Sequence, residues 1–370
     1  ANFAPSTGYH PFGGADAGGI KILTSQSLHF NNVTFDNISN PENGTPWVYG
    51  GVLNIADASR GIWIISSRFI NNVQYTSSDG ADASTGGAIS IQGSGASWRG
   101  HSVLQLLKQS KFIDNKMVAM KGSAYGGAIF LEGQMETVSG NVFRRNIVQA
   151  KADGKNAYGG VLAIGGANSG RGVAQIYNYF GSDLPSASQK ENLFESNMAQ
   201  ADGANGTAMG GAVHVSATGR TKFNKSDEGY MTFKDNKAVA TKGTARGGAI
   251  SNSYKGDPYN NYSESDYVEM YGLTLSGNTA EGITAQGGAI YNDGIIKIIS
   301  DNIDKQDQQT KAFNFTNNTA EGETAQGGAL YNSGTINTIQ NVTFNGNKAK
   351  EGGAIYNAGT IGTLTDSQFL

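Results

Sequence analysis

Hydrophobic positions in this chain come in short groups that alternate with polar ones, and the groups recur. The smallest complete unit runs from Gly328 to Gly353 and holds three such groups, at 329–332, 335–339 and 342–344. Each group is too short for a helix and is closed by Gly or Asn, so the pattern predicts short strands. Three strands in 25 residues, Gly328 to Gly353, make one coil of a parallel β-helix. Longer units then carry extra loops at the corners of the coil.

Two signatures mark the coils. Nine Gly-Gly units followed by Ala or Val and an aliphatic residue occur, with second glycines at Gly51, Gly87, Gly127, Gly160, Gly211, Gly248, Gly288, Gly328 and Gly353, and a degenerate tenth opens the series at Gly18-Gly19. Between them stand Phe69, Phe112, Phe143, Phe194, Phe233, Phe315 and Phe344, each with Asn three residues on. Leu275 takes the place of Phe in one copy, and Phe35 heads a copy whose fourth residue is Ile38. The whole chain therefore reads as an all-β solenoid of about ten coils, roughly 48 Å long at the inter-strand spacing. Residues 1–34 are read as an N-terminal cap and first coil, and 35–370 as the repeats, which stop inside a Phe-x-x-Asn unit like a piece of something longer.

Alternation predicts the faces. Counting from the first glycine, the fourth position is aliphatic in every copy, from Leu53 and Ile89 to Leu330 and Ile355. The sixth is aliphatic early and becomes Asn252, Asn292, Asn332 and Asn357 late. Period two places fourth and sixth on one face, here the inside. The fifth is mixed (Asn54, Ser90, Phe130, His214, Ser251, Tyr291, Tyr331, Tyr356), which predicts a solvent face. Aligned Phe rings then fill the centre, Gly-Gly turns a crowded corner with positive φ. The Asn of Phe-x-x-Asn adopts left-handed geometry and pairs its amide with the next coil.

Composition adds exclusions. Glycine is 53 of 370 residues, about twice the usual share of roughly 7%, and only 15% of residues are charged. The net charge is −3 with no basic block, which gives nucleic-acid binding no support. There is no cysteine, so thiol catalysis, disulfides and Cys-zinc sites are excluded. No apolar run reaches the eighteen or so residues of a spanning helix.

The alternation of Gly-Gly-Ala-[Ile/Leu/Val] with Phe-x-x-Asn resembles the polymorphic outer membrane proteins of chlamydiae, and more broadly autotransporter-type adhesin passengers of Gram-negative bacteria. The resemblance extends from Phe35 to Phe369. It implies a right-handed β-helical passenger, secretion across the outer membrane, a place on the bacterial cell surface or outside it, and adhesion to a protein or glycan of host or neighbouring cells. Two features depart from the family. Its members often carry cysteines, and a membrane barrel is not part of this stretch, so attachment to the outer membrane would run through a region beyond it.

Chemistry is sparse against this background. Three insertions exceed what a coil needs: 165–192 with Tyr177, Tyr179 and Phe180; 254–270 with Tyr254, Lys255, Asp257, Tyr259, Tyr262 and Tyr267; and the acidic 300–311. Long loops on a rigid scaffold are where binding sits, and tyrosine offers area and a hydroxyl at low entropic cost, so these aromatics are the candidate ligand-binding residues. Packing of the loop against the rod is the equal alternative. Lys255-Gly256-Asp257 matches a short integrin-binding tripeptide by a three-residue coincidence. Tyr291, Tyr331 and Tyr356 should stack on successive coils, shielding the sheet or, less readily, binding sugar rings.

The chain is expected not to be an enzyme. The four histidines, His10, His29, His101 and His214, form no motif, no zinc spacing occurs, and no cofactor is called for. Glycan-cleaving β-helices remain an alternative; they would need acids converging in one groove, with Asp79, Asp82, Asp153 and Asp202 as candidates, all in turns after Phe-x-x-Asn. Asp301, Asp304 and Asp307 are spaced unlike an EF-hand. A structural subunit stacking end to end into filaments is the other alternative.

Overall fold

The computed structural model describes residues 15–16, 19–23, 27–40, 48–49, 51–56, 59–77, 86–93, 102–165, 173–176, 191–224, 231–256, 268–303 and 310–370. The chain winds as a right-handed parallel β-helix. Three sheets of ten strands each form its faces, and within each sheet every strand pairs in parallel with the equivalent strand of the coils before and after. Sheet I holds the Gly-Gly-Ala strands, such as Ile290–Asn292 and Leu330–Asn332; sheet II follows with Ile295–Ser300 and Thr335–Gln340; sheet III carries the Phe strands, Phe313–Thr316 and Val342–Asn345. Strands Ile20–Leu23 and Leu28–Asn31 already belong to sheets I and II.

Register explains the consensus. Phe35, Phe69, Phe112, Phe143, Phe194 and Phe233 stack ring on ring at 4.6–5.1 Å. Leu275 lies in register between Phe233 and Phe315, and the stack resumes with Phe344 and Phe369. These rings are buried except at the last coil, and burying each stabilises the fold by about 1.5–3 kcal/mol.

The two glycines of each corner do different jobs. From Gly126 onward the first has positive φ, as in Gly126 (63°), Gly247 (64°) and Gly287 (71°). The second does not; it is there for closeness. A Cβ at Gly87, Gly127, Gly248, Gly288 or Gly328 would lie 2.1–2.2 Å from the carbonyl oxygen of the next coil's second glycine, from Gly127 through to Gly353. No side chain fits there.

The asparagines also divide their roles, against expectation. The left-handed residue of the Phe-x-x-Asn corner is the one before the Asn: Asn71, Asp114, Arg145, Ser196, Asp235, Gly277 and Asn317 all have φ of 53–64°. The Asn itself builds a ladder. Asn115 Nδ2 donates to Asn146 Oδ1 at 2.9 Å and to the Phe69 carbonyl at 2.9 Å, and the pattern repeats through Asn197, Asn236, Asn278 and Asn318 to Asn347. A second ladder links Asn252, Asn292, Asn332 and Asn357 at 2.7 Å per step.

A fourth element was not anticipated. After Phe-x-x-Asn the chain leaves the three-sided core in one short strand and returns in another, as in Met198–Ala201 and Thr207–Met209, or makes the whole excursion in a single strand, as in Lys237–Arg246 and Thr279–Gln286. Stacked coil on coil, these strands form an arm with its own thin core of alanines, among them Ala199, Ala201, Ala208, Ala238, Ala240, Ala245, Ala280 and Ala285. The arm overturns the solvent assignment of the fifth position. Asn54, Ser90, Phe130, His214, Ser251 and Tyr291 are all less than 5% exposed. They line the elbow where the arm rejoins sheet I, and the arm's inner row closes over them. Tyr125 meets Phe130 edge-on at 5.8 Å, Tyr158 leans on His214 at 4.8 Å, and the Arg246 guanidinium sits 4.9 Å from the Tyr291 ring centre.

Candidate functional site

The structure redistributes the insertions. Residues 165–192 are not one loop: Val173–Ile176 pair as a sheet II strand with Gln134–Ser139 and Arg220–Phe223. One part therefore leaves the corner between sheets I and II, and the other leaves the corner between sheets II and III. The second insertion ends at 267, because Val268–Tyr271 is again a sheet II strand. It leaves the first of those corners two coils on. The third is anchored by a short antiparallel pair, Asn302–Ile303 with Thr310–Lys311, at the second corner. Segments 165–172 and 253–267 thus connect sheet I strands to sheet II strands, and 177–191, 224–230 and 301–312 connect sheet II strands to sheet III strands. The long connections therefore all begin or end at a sheet II strand.

The outer side of sheet II is ionic here. Glu269 is 11% exposed and lies between two lysines from neighbouring coils, with Lys222 Nζ at 3.2 Å and Lys297 Nζ at 3.2 Å. Tyr271, at the end of the same strand, is half-buried; burial and then the Glu269 charge raise its phenol pKa. A single carboxylate balanced by two ammonium groups is a recognition surface or a stabilising rung, without the paired acids that glycoside hydrolysis uses.

Among the predicted ligand-binding residues, Asp257, Tyr259, Tyr262, Tyr267, Tyr177, Tyr179 and Phe180 lie outside the described residues. Tyr254 is in the main core at 2% exposure, which removes its ring from the candidate binding surface. Lys255 is exposed at the base of the loop, and its ammonium donates to the Asp293 carbonyl and lies 3.8 Å from the Asp293 carboxylate. The first residue of the Lys-Gly-Asp tripeptide is thereby tied to the next coil.

The other candidates are placed as follows. Asp79, Asp82, Asp304, Asp307, His10 and His101 lie outside the described residues. Asp153 and Asp202 sit in stacked turns of the arm. Asp153 accepts from the Ala204 amide at 2.8 Å, and Asp202 accepts from Gln149 and Gln200 at 2.6 Å each. Asp301 accepts from Ser300 and Asn341. Among the described residues no three His, Asp or Glu side chains gather as a metal site. His29 stacks on Trp63 at 4.7 Å, and His214 is buried with Nδ1 2.7 Å from Ser251 Oγ.

Tyr291, Tyr331 and Tyr356 do stack, with centroids 5.4 Å apart and rings within 8° of parallel. The faces between the rings are covered by their neighbours, and the outer Tyr291 face by Arg246. Burial raises the Tyr291 and Tyr331 phenol pKa values. A sugar binds aromatic faces, and those of Tyr291 and Tyr331 are closed, so these two rings seal the elbow.

The molecule is thus a β-solenoid repeat protein, with a closed elbow on one side and, on another, the sheet II strands that the long connections join. Three of its stretches, 272–293, 312–333 and 341–358, match the Chlamydia polymorphic membrane protein repeat. Each match runs from a sheet III strand through the arm to a sheet I strand, so the matched unit is the part of the coil that carries both signatures, without its sheet II strand. The chain carries repeats of that family in its last coils, as the resemblance implied. No curated protein matches the chain, and no solved structure does.

Proposed function

We propose that the chain is the surface-exposed, non-enzymatic passenger of a bacterial autotransporter-type adhesin, presented at the outer membrane or released from it. The repeat match supports a surface location. The observation that carries the adhesive part is that the long connections all begin or end at sheet II strands, the sheet that carries the Lys222–Glu269–Lys297 rungs. A rigid solenoid with long loops is a scaffold for recognising a protein or glycan of another cell.

The test is a glycan-array and cell-binding screen comparing the chain with a variant in which 257–267 is replaced by a short Gly-Ser linker, leaving strand Val268–Tyr271 intact. Binding that disappears with the loop places the adhesive site there. Binding that survives moves it to the rod's faces. Turnover of a glycan or peptide by the purified chain would sink the non-enzymatic reading.

A further inference from the structure

The outer surface of sheet III is a grid in which each coil shows two side chains flanking its inward Phe. One row runs in register through Thr34, Arg68, Lys111, Val142, Leu193 and Thr232. The other runs through Asp36, Ile70, Ile113, Arg144, Glu195 and Lys234. Charges on and beside this grid are answered by neighbours. Asp36 accepts from Asn71; Arg144 donates to Glu195 at 2.6 Å; Lys234 is 3.6 Å from the same carboxylate; Arg145 forks onto both oxygens of Asp114 at 2.7 and 2.6 Å.

Arg68 and Lys111 break the rule. They are direct register partners on adjacent coils, both exposed. Among the described residues neither side chain has a carboxylate or hydrogen-bond partner. Like charges directly opposite each other across a ladder are destabilising. The fold does not demand them, since Thr34 and Thr232 fill the same row elsewhere. Beside and below them the surface turns apolar, with Ile70, Ile113, Val142 and Leu193 each half-buried. The surrounding stretch is also the basic part of an acidic chain: residues 102–165 hold eight Lys and Arg against four Asp and Glu.

We propose that Arg68 and Lys111, with the apolar strip beside them, bind an anionic polysaccharide. A sulfate or carboxylate group would sit between the Arg68 fork and the Lys111 ammonium, and the apolar face of a sugar ring on Ile113 and Val142. Arg presents a planar fork to such anions and Lys a point charge, so the pair holds one group from two sides. Anionic membranes recruit clusters of about four to eight cations, and two are unpaired here. Protein partners are anchored by exposed aromatic residues, which this patch lacks. The site lies on the second and third coils of sheet III, away from the long connections of later coils, and it does not depend on them.

The experiment measures binding of heparin oligosaccharides and of neutral dextran to the full chain by calorimetry. The variants are Arg68→Gln with Lys111→Gln, and the control Arg145→Gln with Lys234→Gln, which removes equal charge from the same face. The chain should hold heparin and not dextran, with affinity falling as salt rises. The first variant should lose at least about tenfold and the control less than about twofold. Lys111→Glu alone should abolish binding while keeping the β-sheet spectrum and the melting temperature, because it supplies Arg68 with a partner. Replacement of 257–267 should leave heparin binding intact. Equal weakening by the control, loss with the loop replacement, or no preference for heparin over dextran would each overturn the assignment.

Discussion

His214 shows what the elbow does to a single residue. Its imidazole is buried between Ser251 and Tyr158, and burial lowers its pKa from 6.5 to about 3. The unfolded chain takes up a proton below about pH 6.5 while the folded chain does not, so stability falls with pH from there towards pH 3. The loss is about 1.4 kcal/mol per pH unit within that window. Urea midpoints measured at pH 7 and pH 5 should therefore separate for the natural chain. They should converge for His214→Phe, a ring that the same row accepts at Phe130. An unchanged pH gap in the variant would refute this. Gly288 makes the complementary point about space. Its φ is ordinary, yet a Cβ would meet the Gly328 carbonyl oxygen at 2.1 Å, and backbone cannot step aside. Gly288→Ala should cost at least about 3 kcal/mol, seen as a lower urea midpoint at unchanged slope.

At the scale of the element, the ladders and the arm carry the coil-to-coil coupling. Asn236 donates to Asn278 and to the Phe194 carbonyl and accepts from the side chain and backbone of Asn197, all buried. Asn236→Leu would fit the volume and orphan several of these groups at once. A loss of about 3–5 kcal/mol is expected in chemical denaturation, and a loss under about 1 kcal/mol would mean that water replaces the ladder. The arm is held by alanines, so its two layers lie close and tolerate no growth. Ala280→Leu should pry the arm open while the Phe stack persists. Hydrogen exchange should quicken in 237–246 and 279–286 and stay slow in 273–276 and 313–316.

At the scale of the molecule, each coil meets only its neighbours. Stability is then close to a sum of repeat and interface contributions. Excising 288–327 joins Gly287 to Gly328 in frame with every ladder. The shortened chain should fold with the same far-ultraviolet spectrum per residue and a modestly lower midpoint. Excising 288–307 instead breaks the frame and should yield a protease-sensitive chain. If both shortened chains behave alike, register does not govern the solenoid.

The repeat, the parallel coil, the inward fourth and sixth positions and the Phe stack were legible from residue spacing alone, because a period of two and a recurring unit leave one way to stack. The arm had a signal too, the alanine alternation in Thr279–Gln286 and again at 319–326, but short Ala-rich segments carry little hydrophobic contrast and read as turn. What the spacing could not reveal was where the chain goes after leaving the coil. Because it folds back on sheet I, the mixed fifth position became an interior and the faces of Tyr291 and Tyr331 were closed; Tyr254 joined the main core at the corner after its sheet I strand. The long connections' shared attachment to sheet II strands, and the unanswered Arg68–Lys111 pair, likewise follow from which corner each segment leaves and which residues fall in register. Local sequence determined the coil; only the stacking of distant coils, through backbone pairing between residues some 25 to 50 positions apart, decided which surfaces remain for a partner.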